Sequence, residues 1–156
     1  PLYSFALTIT TFLVFAGLGS SLSEKLSRAS SRRYVLAGSV TGIVLLGFAY
    51  MLLLDELFAL LSTSAPVLKM GFTVAMLAPV ALLMGMPFPL ALSALSQSSK
   101  VLVPWAWGIN GCASVISASL ATLLAIELGF GMVILIAVLL YAAVPFVYPV
   151  TRQAVA

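Results

Sequence analysis

The sequence predicts an all-α fold, a polytopic integral membrane bundle of about five transmembrane helices, and three observations predict it. Hydrophobic residues fill 63% of the 156 positions and charged residues only 7%, whereas a soluble domain carries roughly a quarter charged residues. The apolar residues fall in runs of roughly 20, the length that a hydrocarbon core of about 30 Å demands of a helix rising about 1.5 Å per residue. The few charges gather between those runs rather than along them. A very apolar soluble core would show shorter runs and interleaved polar faces.

The same figures exclude several classes of function. A basic balance of seven Lys and Arg against four Asp and Glu would suggest nucleic acid in a soluble protein. In a chain this apolar, the cations instead set orientation and meet anionic headgroups. Cys112 is the only cysteine and there is no histidine, so no disulfide framework and no zinc site is expected, and no cofactor in this chain. Ser-His-Asp and Cys-His catalytic sets are impossible without histidine. The chain opens at Pro1 on an apolar run with no signal-peptide pattern, and the expectation is a single transmembrane domain over residues 1–156 that belongs to a longer protein.

Five spans are expected, at residues 2–22, 34–54, 66–86, 104–126 and 132–148. The first ends in the polar stretch Ser23 to Arg33, read as a loop. The second stops at Asp55-Glu56, and Leu57 to Ala65, too short to cross, is read as interfacial. Lys69 lies near enough to the start of the third span to snorkel. Pro104 suits the first turn of the fourth span. Glu127 to Gly131 makes a tight turn before the fifth, whose end Pro145 and Pro149 should kink or fray. Lys25, Arg28, Arg32, Arg33, Lys100 and Arg152 all fall on one side if the N-terminus is outside and the C-terminus cytoplasmic. Asp55, Glu56 and Glu127 then lie on the outer side.

Two places stand out chemically. In Gly85-Met86-Pro87-Phe88-Pro89, two prolines remove backbone donors and clash with the preceding turn, so a straight helix cannot continue. The third span is therefore Pro-broken, and Leu90 to Ser99 becomes a short interfacial helix or a re-entrant piece. Pro87 and Pro89 either free carbonyls to line a polar cavity or simply end the helix. The fourth span carries Asn110, Ser114, Ala118 and Thr122 at intervals of four, beside a second row of Ala113, Ser117, Ala121 and Ala125. Such rows let backbones approach closely, which predicts that this helix is the most enclosed of the bundle. The Asn110 amide then bonds a neighbouring helix or a substrate. Trp105 and Trp107 fit an interfacial belt, with Trp107 free to turn inward. Gly17-Leu18-Gly19-Ser20 and the Gly38/Gly42 pair are further small-residue contacts. The former lacks the lysine and glycine spacing of a phosphate loop.

Three blocks together resemble the membrane region of spermidine synthase-like membrane proteins: PLYSFALTITTFLVFAGLGSSLSEKL, GMPFPLAL and VPWAWGINGCASVISASLATLLAIELGF. In that family a Rossmann-like aminopropyltransferase- or methyltransferase-like domain is joined to a helical membrane domain. The resemblance implies a non-catalytic membrane anchor, with possible substrate access, in a bacterial inner membrane; the parent protein would be the enzyme. Its partners would be the lipid bilayer, other helices and the soluble domain, not nucleic acid. No catalytic residue of the family has a position in this chain to land on. The alternatives are half of a small-molecule transporter and a membrane interaction scaffold.

The orientation is open to a direct check. Cysteines placed singly between Ser23 and Arg33 should react with a membrane-impermeant thiol reagent only after the cells are opened, and labelling in intact cells would reverse the assignment.

Overall fold

A computed structural model describes residues 2–61 and 65–147. Among the described residues six α-helices follow one another: α1 (Leu2–Ala29), α2 (Arg32–Leu61), α3 (Pro66–Met84), α4 (Pro87–Ser98), α5 (Val103–Leu128) and α6 (Phe130–Val147). One 3-10 turn, Lys100–Leu102, leads into α5. With α3 and α4 taken as one stretch, five helices are long and apolar enough to cross a membrane. The expected fraying at Pro149 and the cation Arg152 lie outside the described residues.

One expected loop and the first part of the expected interfacial segment prove helical; residues 62–64 of that segment lie outside the described residues. The polar stretch from Ser23 shrinks to Ser30-Ser31, because α1 runs on to Ala29 and α2 starts at Arg32. Nothing in Ser23 to Ala29 breaks a helix. Its serine hydroxyls bond back to their own helix, Ser23 to the Ser20 carbonyl at 2.7 Å and Ser27 to that of Glu24 at 2.9 Å. Glu24 and Arg28, one turn apart, pair at 2.7 Å on the exposed face. Likewise α2 continues through Asp55-Glu56 to Leu61 rather than giving way to a separate interfacial segment. The first breaker after it is Pro66, which opens α3.

The centre of the packing is the first half of α2. Val35, Leu36, Ser39, Val40 and Ile43 are buried there, at spacings of one, three and four residues that follow one helical stripe. Met86 and Leu90 pack into the same cluster, bordered by Val44, Leu82, Leu83 and Val144. Gly42 of α2 faces Leu83, and the Tyr50 hydroxyl donates to the Met76 carbonyl. These two pairings run in opposite directions along the chain, so α2 and α3 are antiparallel. Gly47 meets Val138 of α6, whereas Gly38, which forms the GxxxG with Gly42, meets nothing within 4 Å.

The tightest approach joins α1 to α3. A Cβ on Gly19 would overlap the Leu82 carbonyl oxygen and lie 2.8 Å from its carbon. A Cβ on Gly85 would do the same at Ala16, again 2.8 Å from the carbonyl carbon. Each helix thus presents a glycine to the other's backbone, a reciprocal contact that no side chain larger than hydrogen allows.

The fourth predicted span, α5, does not occupy the enclosed position expected of it. None of its residues is buried, and it packs chiefly on α6 with a lesser contact to α4. The close packing that small residues permit is made instead by the glycines of α1 and α3. Leucine at Gly19 or at Gly85 should therefore cost the fold about 3 kcal/mol, near the upper range for overpacking. Alanine in place of Gly38 should change stability little, and thermal unfolding in detergent compares the three.

Candidate functional site: the Pro87/Pro89 break and the open face of α5

The break begins where α3 ends at Met84 and α4 starts again at Pro87. Gly85 and Met86 keep right-handed helical backbone angles, with φ and ψ of −71° and −13° and of −86° and −42°. The chain is interrupted but not reversed. Gly85 N–H still donates to the Ala81 carbonyl at 3.0 Å, and Met86 N–H to that of Leu83 at 3.2 Å, a tightened last turn. Pro87 takes the first position of α4, where its missing N–H costs nothing.

The surroundings of the break are apolar. Met86, Pro87 and Leu90 are buried, and Met86 and Leu90 pack against Val35, Leu36 and Val40. Pro89 is half-buried. The side chains that gather at the break fill it as core, and the prolines serve to end one helix and start the next. Leu90 to Ser98 is helical and packs against both α1 and α2, with Ala94 buried, so α4 is a packed part of the bundle.

The polar and aromatic residues singled out on the fourth span lie on α5. Asn110, Ser114 and Thr122 are all exposed on the chain's surface. The hydroxyls there are occupied within the helix: Ser114 donates to the Asn110 carbonyl at 2.7 Å, Ser117 to that of Ser114 at 3.1 Å, and Thr122 to that of Ala118 at 3.0 Å. This back-bonding satisfies each hydroxyl without a second helix. The Asn110 side chain, expected to bond a neighbouring helix, faces outward instead. Trp107 turns partly toward the bundle, its ring meeting Phe88 of α4 edge-on with centroids 5.2 Å apart and planes at 80°. Trp105 stays 70% exposed.

The structure therefore brings Trp107 to the α4 end of the break through Phe88, while Asn110, Ser114 and Thr122 remain on a separate, outward face. A shallow groove of about 640 Å³ runs along another side of α5 between Pro104 and Ile116, lined by Trp105, Gly108, Ile109, Cys112 and Ala113 and by none of those three polar residues. Gly129, which ends α5, has a φ of 83°, a left-handed value suited to glycine, and the link to α6 is that one residue. A turn this short forces α6 back along α5, which is why α5 finds its main neighbour there.

Sequence reasoning named the residues of the break and of α5 but missed Gln97. Its Oε1 accepts from Arg32 Nη1 at 3.0 Å, tying the start of α2 to the end of α4. Among the described residues no group of three His, Cys, Asp or Glu could hold a metal ion. Compared with protein-family models, curated proteins and solved structures, the chain matches none.

The outward α5 face gives a clear expectation for mutation. Ser114→Leu should leave the thermal stability of the chain within about 0.5 kcal/mol of the unaltered protein, as for a surface position. Thermal unfolding in detergent measures it, and a loss as large as that at Gly19 would place a helix against Ser114.

Proposed function

We propose that this chain is a non-catalytic transmembrane domain, a membrane anchor and possible substrate-access bundle of a spermidine synthase-like membrane protein. The observation that carries the membrane part of this reading is the character of the surface. Leu13, Leu18, Leu45, Leu52, Ile109, Val115, Ile116, Leu123, Leu139 and Leu140 are all exposed along the lengths of α1, α2, α5 and α6. In water, apolar surface on that scale marks an interface or drives aggregation; in lipid it is the ordinary outer face of a helical bundle.

Charge supports the orientation. The Arg32–Gln97 contact gathers Arg33 and Lys100 at the end where α1 also finishes with Lys25 and Arg28. Facing the cytoplasm, that end satisfies the preference of inner loops for Lys and Arg. The spermidine synthase-like assignment, and with it a bacterial inner membrane, rests on the three sequence blocks, most of which fall on α1, α4 and α5. The apolar filling of the Pro87/Pro89 break favours an anchor over the transporter reading, which needs a polar lining at a broken helix.

Two measurements test the proposal in separate parts. The chain expressed in bacteria should stay in the membrane pellet after alkaline carbonate extraction, and release into the supernatant would end the membrane reading. The open reading frame around the segment should encode an α/β domain with a glycine-rich strand-loop-helix. A second helical half in its place would favour a transporter.

A further inference from the structure

The Arg32–Gln97 hydrogen bond joins two stretches that the chain order keeps apart: the start of α2, and the junction of α4 with α5. Each stretch carries a cation next to exposed apolar side chains. Arg33 is followed by Tyr34, 75% exposed, and Lys100 by Val101 and, one turn on, Trp105, 79% and 70% exposed. Arg33 and Lys100 are themselves exposed. Neither Arg32 to Tyr34 nor Gln97 to Trp105 contains an acid. Glu24, the one carboxylate side chain at this end among the described residues, is engaged by Arg28 at 2.7 Å. The result is a surface with a net positive charge, flanked by an aliphatic side chain and two aromatic ones.

We infer that this surface binds the anionic headgroup of a membrane phospholipid, with Arg33 and Lys100 at the phosphate and Tyr34, Val101 and Trp105 against the upper acyl chain. The inference rests on the membrane reading proposed above. Charge complementarity selects the occupant, since cations with no carboxylate free to answer them attract a negatively charged layer. The exposed tyrosine and tryptophan select lipid over a free anion. Amphipathic rings settle at the level of the headgroups, and a soluble phosphate would gain nothing from them. A second requirement is that the two cations sit in one layer, and the Arg32–Gln97 bond supplies it. The hydrogen bond holds α2 and α4 at a common height, and Lys100 follows Gln97 by three residues, just past the extended Ser99 that ends α4.

Trp105 and Trp107 are the only tryptophans, so their fluorescence reads lipid next to this surface. The full chain is reconstituted in phosphatidylcholine vesicles holding a minor fraction of brominated phosphatidylglycerol or, in parallel, brominated phosphatidylcholine of the same chains. Stronger quenching by the anionic lipid is expected, unaffected by millimolar inorganic phosphate. Arg33→Gln and Lys100→Gln should each weaken the preference about fivefold, and Arg33→Lys should keep most of it. Lys69→Gln, on α3, serves as the control and should leave it intact. Equal quenching by the two lipids, a preference that survives the double glutamine variant, or full competition by inorganic phosphate would overturn the proposal. The first of these would leave the cations for an acidic protein surface. Carbonate extraction of the same protein separates the two readings: a chain that stays in the pellet but shows no lipid preference loses only the headgroup surface.

Discussion

The bundle depends on one steric constraint, the mutual approach of α1 and α3 through Gly19 and Gly85. With hydrogens in place of side chains, each helix backbone comes against the other's carbonyl, at Leu82 and at Ala16. In lipid, the setting proposed above for this chain, helices gain little from burying apolar surface, because the solvent they leave is itself apolar. Close van der Waals contact over a small area is then the available source of cohesion, and it falls off steeply with separation. The pair holds α3 at a fixed height against α1. From that height follow the positions of Leu82 and Leu83 at the border of the central cluster and of Met86 within it.

Gly85 ties this constraint to the break. The residue that allows the crossing is also the residue at which α3 stops, two positions before Pro87. One turn of irregular helix therefore does two jobs: it admits the Ala16 backbone, and it redirects the chain so that Met86 and Leu90 enter the stripe formed by Val35, Leu36 and Val40. A straight, uninterrupted helix would carry Leu90 and Ala94 along the path of α3. The prolines prevent that at little cost, since the first turn of a helix has no use for the donor that proline lacks.

Polar groups are handled locally rather than between helices. The hydroxyls of Ser23, Ser27, Ser39, Ser114 and Thr122 all return to carbonyls three or four residues earlier in their own helix. Such bonds satisfy the group but contribute no interhelical specificity. Among the described residues, Arg32–Gln97 and Tyr50–Met76 are polar side-chain contacts that cross from one element to another. Both involve α2, the helix whose first half lies at the centre of the packing.

The helical class, the number of apolar helices and the breaking point at Gly85 to Pro89 were legible in the sequence. They depend on run length and on proline sterics, which act within a few residues of chain. The turn expected over Glu127 to Gly131 was legible as a turn but too wide, since α5 runs to Leu128 and α6 starts at Phe130, leaving Gly129 alone as the link. Helix ends were less so: Ser23 to Ala29 and Asp55 to Leu61 read as loop or interface because they are polar or short, yet nothing in them forbids the helix from continuing. What the sequence could not decide was which small residues meet a partner. The rows on α5 and the glycines of α1 and α3 carry the same local signal, a lack of side-chain volume. Tertiary contacts decide it: α1 lies against α3, so Gly19 faces a backbone, while the single-residue turn lays α6 along α5 and Ser114 faces outward. Small size makes close approach possible, and tertiary geometry alone supplies the helix that approaches.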